Sequence, residues 1–497
     1  MNYPAWQLGF PGGLLIATVA IVHVFVSHFA VGGGAYLVLT EQRAYARNDD
    51  ALLAYVRRHS KFFALLTVVF GAVTGVGIWF TIGLVAPEST SSLIHTFVWG
   101  WAIEWVFFFV EIAAALIYAY QWDRLDRRTH LIIGWIYFAA AWASLAVING
   151  IITYMLTPGG WLTTHSFWAG IFNPTYFPSL LIRSAMAMGL AGMFGLVTAL
   201  RDPEAKPRLV RWAGAWLVVG VGLLLPFGWW YDLRLPAFSH DYLAGFIPAV
   251  QTVAHAGMWT AGAAILLAVI FALAKPRWMN AGVVALILVC GLATMGSGEY
   301  VREVSRKPYS INGYIYANDM RVAEIETITA TGAAKVTPWV ADAASDPDRY
   351  GRQLFAAECA SCHSVHGYRA MAVKTRGWDA TFAANMLQHL PLIRGTMPPF
   401  AGNEQDRVAL GRYLASIADA PEKVSAPDLG RHVFERRCAY CHTIGGARRP
   451  LPLAGMDADT LETMIGSLPD LTSDMPPFTG TDAERHALAV FLAQAGK

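Results

Sequence analysis

From residue 13 to about residue 297 the chain alternates long apolar runs with short polar loops. Eight runs approach the length of about 20 residues that a helix needs to cross a bilayer. They cover 13–39, 62–85, 93–120, 131–154, 178–200, 210–230, 247–273 and 279–297. None alternates with a period of two, and a backbone in lipid must satisfy its own hydrogen bonds, so the runs predict membrane helices. From about residue 299 the pattern becomes that of a soluble helical protein. The predicted fold class is all-α: a polytopic membrane helix bundle of eight spans (1–298), a connecting segment (299–344), and two small helical domains (345–420 and 425–497).

Composition agrees with a membrane protein. Of the 497 residues 55% are hydrophobic and 14% charged. The net charge of +2 gives no reason to expect a nucleic-acid partner. Its distribution is more informative. Loops after spans 1, 3, 5 and 7 carry Arg43, Arg47, Arg57, Arg58, Lys61, Arg124, Arg127, Arg128, Arg201, Lys206, Arg208, Arg211, Lys275 and Arg277, whereas the intervening loops carry Arg234 alone. The positive-inside rule makes the first set cytoplasmic. Nothing basic precedes the first run and no small-residue cleavage site follows it, so it is expected to stay as a span. Both the N-terminus and the tail then lie outside, the periplasmic side of a bacterial inner membrane.

The tail repeats with a period of 78–79 residues. GRQLFAAECASCH (351–363) matches GRHVFERRCAYCH (430–442), and MPPF recurs at 397 and 475 before a second matching stretch. Each unit reads as a helix, a CxxCH, a loop, a Met-Pro-Pro and a helix. CxxCH is the attachment signature of c-type haem. Cys359 with Cys362, and Cys438 with Cys441, would each bind one porphyrin, with His363 and His442 as proximal ligands. Met397 and Met475, 34 and 33 residues after those histidines, suit a His/Met iron. The following prolines hold the preceding backbone extended. Met371, Met386, Met456 and Met464 are competitors, and a redox dithiol or half a zinc site is the alternative for a lone CxxC. Two haem c groups on the outer side agree with the topology. Cys290, in an apolar run, reads as a small buried residue.

Ionisable residues within a bilayer are costly and are functional candidates by default. They are His23 and His28 in span 1, His95, Glu104 and Glu111 in span 3, Arg183 in span 5, and His255 with Met258 in span 7. Glu104 and Glu111 lie seven residues apart, about two turns and about 10 Å along one helix face. Such a pair either passes protons inward from the cytoplasmic side or serves packing alone. His23 and His28 are about 140° apart around their helix, so they suit two irons better than one. His255 and Met258 share a face and are further candidates for haem iron. His95 is either a ligand or a partner for a haem propionate. His59, His130, His165 and His240 fall in loops or at helix ends and read as structural.

Several stretches resemble the large subunit of cytochrome bd oxidases over about residues 10–315. They are H-V-F-V around His23 followed by Gly32–Gly34, G-A-V-T-G (71–75), A-I-E-W (102–105) with Glu111 leading to W-D-R-L (122–125), N-G (149–150) and R-E-V-S-R-K-P-Y (302–309). The tail units resemble class I cytochrome c domains. The bd resemblance implies that His23 ligates a high-spin haem. It makes Glu104 and Glu111 proton-path carboxylates and Met258 a low-spin haem ligand. There are also departures. Arg183 stands where the family has a haem-ligating histidine, and the outer quinol loop shrinks to about 231–246. Trp79 replaces a glutamate, Glu299 is the nearest match to a ligating carboxylate, the ninth span is absent, and His28 is an addition.

The resemblance therefore implies a membrane-bound respiratory oxidoreductase, a bd-type oxygen reductase relative. It would take electrons from periplasmic cytochrome c through two c haems to one to three membrane haems of b or d type. The alternatives are a subunit that oxidises quinol and passes electrons outward, and a nitric oxide reductase. A second membrane subunit or a homodimer is the expected assembly.

Overall fold

The computed structural model describes residues 5–496 except 7, 202–204, 244–246, 337–339, 341–345, 394–395, 421, 423 and 446–448. Among them eight helices are long and apolar enough to cross a membrane. They are Gly12–Arg47, Asp50–Val85, Val98–Tyr120, Arg127–Tyr154, Tyr176–Ala199, Lys206–Asp232, Ala249–Ala274 and Ala281–Ser305, called spans 1 to 8 below.

The spans match the predicted runs, and local chemistry sets their ends. Asp49, Asp126 and Asn280 each occupy an N-cap and accept a backbone N–H of spans 2, 4 and 8. Two boundaries differ from expectation. The run 93–120 is broken at Phe97, leaving a separate helix Pro87–Thr96 ahead of span 3. Span 8 runs to Ser305, because Glu299–Arg302 and Glu303–Arg306 pair three residues apart and carry the helix past its apolar part. Glu299 therefore belongs to the last span and not to a connecting segment.

Small residues let the spans approach. A Cβ on Gly192 would lie 2.5 Å from Leu217 N, and one on Gly220 2.3 Å from Gly189 N, so spans 5 and 6 meet backbone to backbone. The glycine triplet of span 1 does the same on three sides. A Cβ would meet Ala187 O at 1.9 Å from Gly32, Phe63 at 2.5 Å from Gly33, and Tyr137 at 2.4 Å from Gly34. Spans 5, 2 and 4 close around span 1 at that level.

Residues 1–15, 84–89 and 307–497 form one compact unit, and 16–83 with 90–306 form the other. In the first unit a hairpin pairs Tyr309–Ile311 with Ile315–Tyr316. Beyond it Asp319 accepts the Glu88 and Ser89 backbone N–H groups, each at 2.6 Å, and the Ser89 hydroxyl at 2.5 Å. Two repeats follow with parallel architecture. The first has helices Pro347–Glu358, Ala380–Gln388 and Glu404–Ile417. The second has Leu429–Val433 running into a wider turn to Cys438, then Ala458–Gly466 and Asp482–Ala495. The middle helix of each repeat lies in what the sequence pattern suggests is a loop. Asn403 and Thr481 close capping boxes on the last helices, with Asp406 and Glu484 as their partners.

Candidate functional site

The two CxxCH turns fold identically. Cys362 N and His363 N donate to Cys359 O at 3.1 and 2.9 Å, and Cys441 N and His442 N donate to Cys438 O at the same distances. Among the described residues none of the four cysteines is in a disulfide. Each histidine is oriented from behind. His363 Nδ1 contacts Arg369 O at 3.2 Å and His442 Nδ1 contacts Arg449 O at 3.0 Å. A carbonyl only accepts, so each Nδ1 carries a proton, and in the neutral ring Nε2 is the nitrogen open to a metal. Both arginines adopt a left-handed backbone, with φ of 54° and 37°, to aim those carbonyls. Burial also lowers the His363 pKa to about 4, which keeps the ring neutral at pH 7. Paired thiols beside an unprotonated Nε2 fit a covalently attached haem in each repeat.

The repeats dock on one another. Trp378 Nε1 donates to Arg436 O at 3.1 Å, Tyr440 OH donates to Lys374 O at 2.5 Å, and the two rings stand edge to face at 5.4 Å. Met397 packs in the same apolar cluster as Tyr440 and Cys441 of the second repeat. Met386, a competing ligand, is buried in that cluster as well.

In the membrane unit His23 is held by the G-A-V-T-G stretch. Its Nδ1 lies 3.0 Å from Thr74 Oγ1, and a Cβ on Gly75 would sit 3.2 Å from the His23 ring. Thr74 fixes the ring while Gly75 makes room for it. A π-helical stretch, Leu65–Gly71, ends directly before this site. Thr74 thus engages the Nδ1 side of the His23 ring.

His28 is placed differently. Its Nδ1 lies 2.8 Å from Val24 O and its Nε2 lies 3.4 Å from Arg183 Nη1. Both nitrogens are thus engaged, one by a backbone carbonyl and the other by Arg183. Arg183 is buried, and its Nε has no partner among the described residues. Glu299, Arg302 and Tyr231 lie within its electrostatic reach. Glu299 itself is ion-paired with Arg302 at 2.8 Å, which engages the proposed ligand carboxylate. His255 is exposed and Met258 is 58% exposed, beside Trp259 at 80%. His95 is exposed too, with its Nδ1 2.7 Å from Ser91 O.

Glu104 and Glu111 both face span 4. Ser144 donates to Glu104 at 3.0 Å and Tyr137 lies 3.1 Å from Glu111. The Tyr137 hydroxyl is also 3.0 Å from Ala30 O. One hydroxyl proton serves one acceptor at a time. When it serves Ala30, the short contact to Glu111 requires a protonated carboxyl; when Glu111 is ionised, the hydroxyl turns to it.

Three residues are more buried than the sequence suggests, and of these Glu41 alone has no reading from the sequence. His130 and Glu41 pair at 2.9 Å, and His59 Nδ1 lies 2.8 Å from Thr198 Oγ1. The two histidines sit at predicted span ends, where an interfacial position is the ordinary reading. Glu41, at the end of span 1, carries no signal beyond its neighbours.

A membrane bundle with an internal row of carboxyl and hydroxyl groups, joined to two CxxCH domains, defines a haem-dependent oxidoreductase of electron transport. Residues 14–228 match the family described as cytochrome bd terminal oxidase subunit I. Residues 346–414 and 425–492 each match the family described as cytochrome C oxidase, cbb3-type, subunit III. The solved structure of the bd oxidase from Geobacillus thermodenitrificans is similar in fold, with a TM-score of 0.55 and 16% identity over 64% of this chain and 92% of that chain. No curated protein matches the chain. The membrane part is thus similar to the cytochrome bd oxidase large subunit, and the tail carries two regions similar to cytochrome c domains.

Proposed function

We propose that this chain is a bd-type oxygen reductase relative of the bacterial cytoplasmic membrane. It takes electrons from a periplasmic cytochrome c and protons from the cytoplasmic side, with both termini outside. Bound haem supplies one-electron transfer in the tail and oxygen reduction in the membrane domain.

The residues divide the remaining work. Cys359, Cys362, His363 and Met397 hold one haem c, and Cys438, Cys441, His442 and Met475 hold the other. His23, steadied by Thr74, ligates a membrane haem of b or d type. Arg183, with its Nε unpartnered among the described residues and its Nη1 beside His28, would supply a positive charge to a haem propionate. Glu104 and Glu111 carry protons. The observation that carries this reading is the Tyr137 hydroxyl placed between Glu111 and Ala30 O, because a packing carboxyl needs no such two-way partner. His255 and Met258 lie on an exposed face that lipid, a second membrane subunit or a second copy would cover.

The short outer segment between spans 6 and 7 supports a cytochrome donor over quinol. It holds the five-residue helix Ala237–Asp241, and its residues 244–246 lie outside the described residues. The test is a reduced-minus-oxidised spectrum of the purified chain with and without carbon monoxide. It is followed by oxygen uptake with reduced cytochrome c or with a quinol. A CO-reactive membrane haem and uptake with cytochrome c are expected. If only c-type haem is present, oxygen reduction is excluded and outward electron transfer from quinol is left. Consumption of nitric oxide in place of oxygen would assign the other substrate.

A further inference from the structure

Spans 3 and 4 run antiparallel and carry facing polar residues at seven-residue steps. Glu104 meets Ser144, Glu111 meets Tyr137, and Tyr118 meets His130. Each step is about two turns, or about 10 Å. The first two rungs belong to the proton path proposed above. The third lies at the end of the ladder that leads into the basic loop with Arg124, Arg127 and Arg128.

The third rung contains a carboxyl group from span 1. Glu41 accepts the Tyr118 hydroxyl at 2.6 Å on Oε2, and its Oε1 lies 2.9 Å from His130 Nδ1. Glu41 is 0% exposed and His130 2%. His130 Nε2 lies 3.0 Å from Tyr118 O, a carbonyl that only accepts, so Nε2 carries a proton. The Nδ1–Oε1 contact must then contain a proton of its own. Imidazolium with carboxylate and imidazole with carboxylic acid both satisfy it. A fully deprotonated pair would set lone pair against lone pair and leave an uncompensated buried charge. The pair therefore holds one shared proton.

Aromatic rings enclose the pair. The His130 ring lies between Trp122 at 4.0 Å and Tyr118 at 4.3 Å. Tyr45, half-buried and one turn beyond Glu41, lies within electrostatic reach of the Glu41 carboxyl. Arg127 covers the Tyr45 ring at 3.9 Å. Tyr45 is thus the more exposed neighbour of a fully buried pair.

We propose that Glu41 and His130, positioned by Tyr118, form a proton-holding site at the entrance of the ladder. A proton enters at Glu41 from the Tyr45 side as one leaves toward Glu111, and the pair returns to holding one proton. The two-turn step to Glu111 is longer than a hydrogen bond, so water or side-chain motion completes it. This inference rests on the reading of Glu111 as a proton carrier.

The test uses the full chain in detergent. A pH-sensitive dye follows proton uptake on reduction, and infrared difference spectra follow carboxyl groups. Glu41→Gln is expected to slow proton uptake by about tenfold and to remove one infrared carboxyl or carboxylate signal, with haem content unchanged. Tyr118→Phe keeps the ring and is expected to slow uptake less. His130→Asn should shift the Glu41 signal, and these two variants carry the test if Glu41→Gln does not fold. Normal uptake in the folded Glu41 and His130 variants, with uptake lost in Glu111→Gln, overturns the holding site and leaves the Glu111 reading standing. Normal uptake in Glu111→Gln as well overturns both.

Discussion

Arg183 and His28 meet at 3.4 Å inside the membrane unit although 155 residues separate them. Arg183 replaces a histidine expected from the bd resemblance, and His28 is an addition to it. The two departures compensate: the guanidinium finds an acceptor in an imidazole whose other nitrogen is tied to Val24 O. Arg183→Gln is expected to leave His28 poorly partnered, at a cost of about 1–3 kcal/mol in stability. It should also disturb the membrane-haem absorbance while the c-type bands persist. Arg183→Lys should not restore the wild type, because an ammonium lacks the fork that serves two partners. Thermal unfolding in detergent together with optical spectra checks this; unchanged melting and spectra in Arg183→Gln would remove the assignment.

His23 gives a sharper expectation. His23→Ala should lose a membrane haem and its carbon monoxide response and retain both haem c groups. Thr74→Val removes only the group behind the ring, so haem affinity should fall by about 10–100-fold, not to zero. Gly75→Ala would press a methyl against the ring at 3.2 Å and should alter the spectrum without abolishing binding. Haem extraction and titration of the variants separate these outcomes; equal affinity in Thr74→Val and wild type would count against His23 as the ligand.

The ease of reading these features from the sequence differs in an intelligible way. CxxCH at 359–363 and 438–442 carries its chemistry within five residues, so it is legible locally. Spans are legible because lipid demands long apolar runs. The pairing of Glu104 and Glu111 on one face follows from helical period alone. Which face of a span is inside does not, since lipid-facing and core-facing positions are both apolar. That is why His255 and Met258 read as interior yet lie exposed. Glu41 with His130 and His28 with Arg183 are tertiary pairs, created by helices far apart in sequence. The left-handed backbones of Arg369 and Arg449 were equally hidden, because arginine gives no signal of positive φ.

The cytochrome ligands allow an independent test. Met397→Leu and Met475→Leu should each lower the midpoint potential of one c haem, since loss of a thioether ligand removes the feature that raises it. Met397 also shares a cluster with Tyr440 and Cys441 of the other repeat, so its loss should disturb both repeats. Met475→Leu is expected to affect its own haem alone. Optical redox titration reads both; a normal pair of potentials in Met397→Leu would move the ligand to Met386 or Met371.

Asp319 ties the chain after the hairpin to the start of Pro87–Thr96. It accepts two backbone N–H groups at a helix N-terminus, a place where a carboxylate is favoured. Asp319→Ala should cost about 1–2 kcal/mol, within the range of lost caps, and Asp319→Asn less. Limited proteolysis near residues 84–89 and 307–319, compared between variants, should show the segments loosening. Wild-type resistance in Asp319→Ala would mean that the contact contributes nothing to order.

The strongest functional prediction concerns Glu111 and Tyr137. Glu111→Gln cannot release a proton, so steps that require one should slow by about 10²-fold or more. Reduction of the c haems by a donor involves no such proton and should keep its rate. Tyr137→Phe removes the two-way hydroxyl but leaves the carboxyl, so its effect should be milder, about tenfold. Stopped-flow reduction followed by oxygen addition distinguishes the phases. Slowing confined to the phase after oxygen, in the order Glu111→Gln, Tyr137→Phe, wild type, is the expected pattern. Equal slowing of donor oxidation would instead mean that the variants damage the fold, and no slowing in Glu111→Gln would return Glu111 to a packing role held by Tyr137 and Ala30.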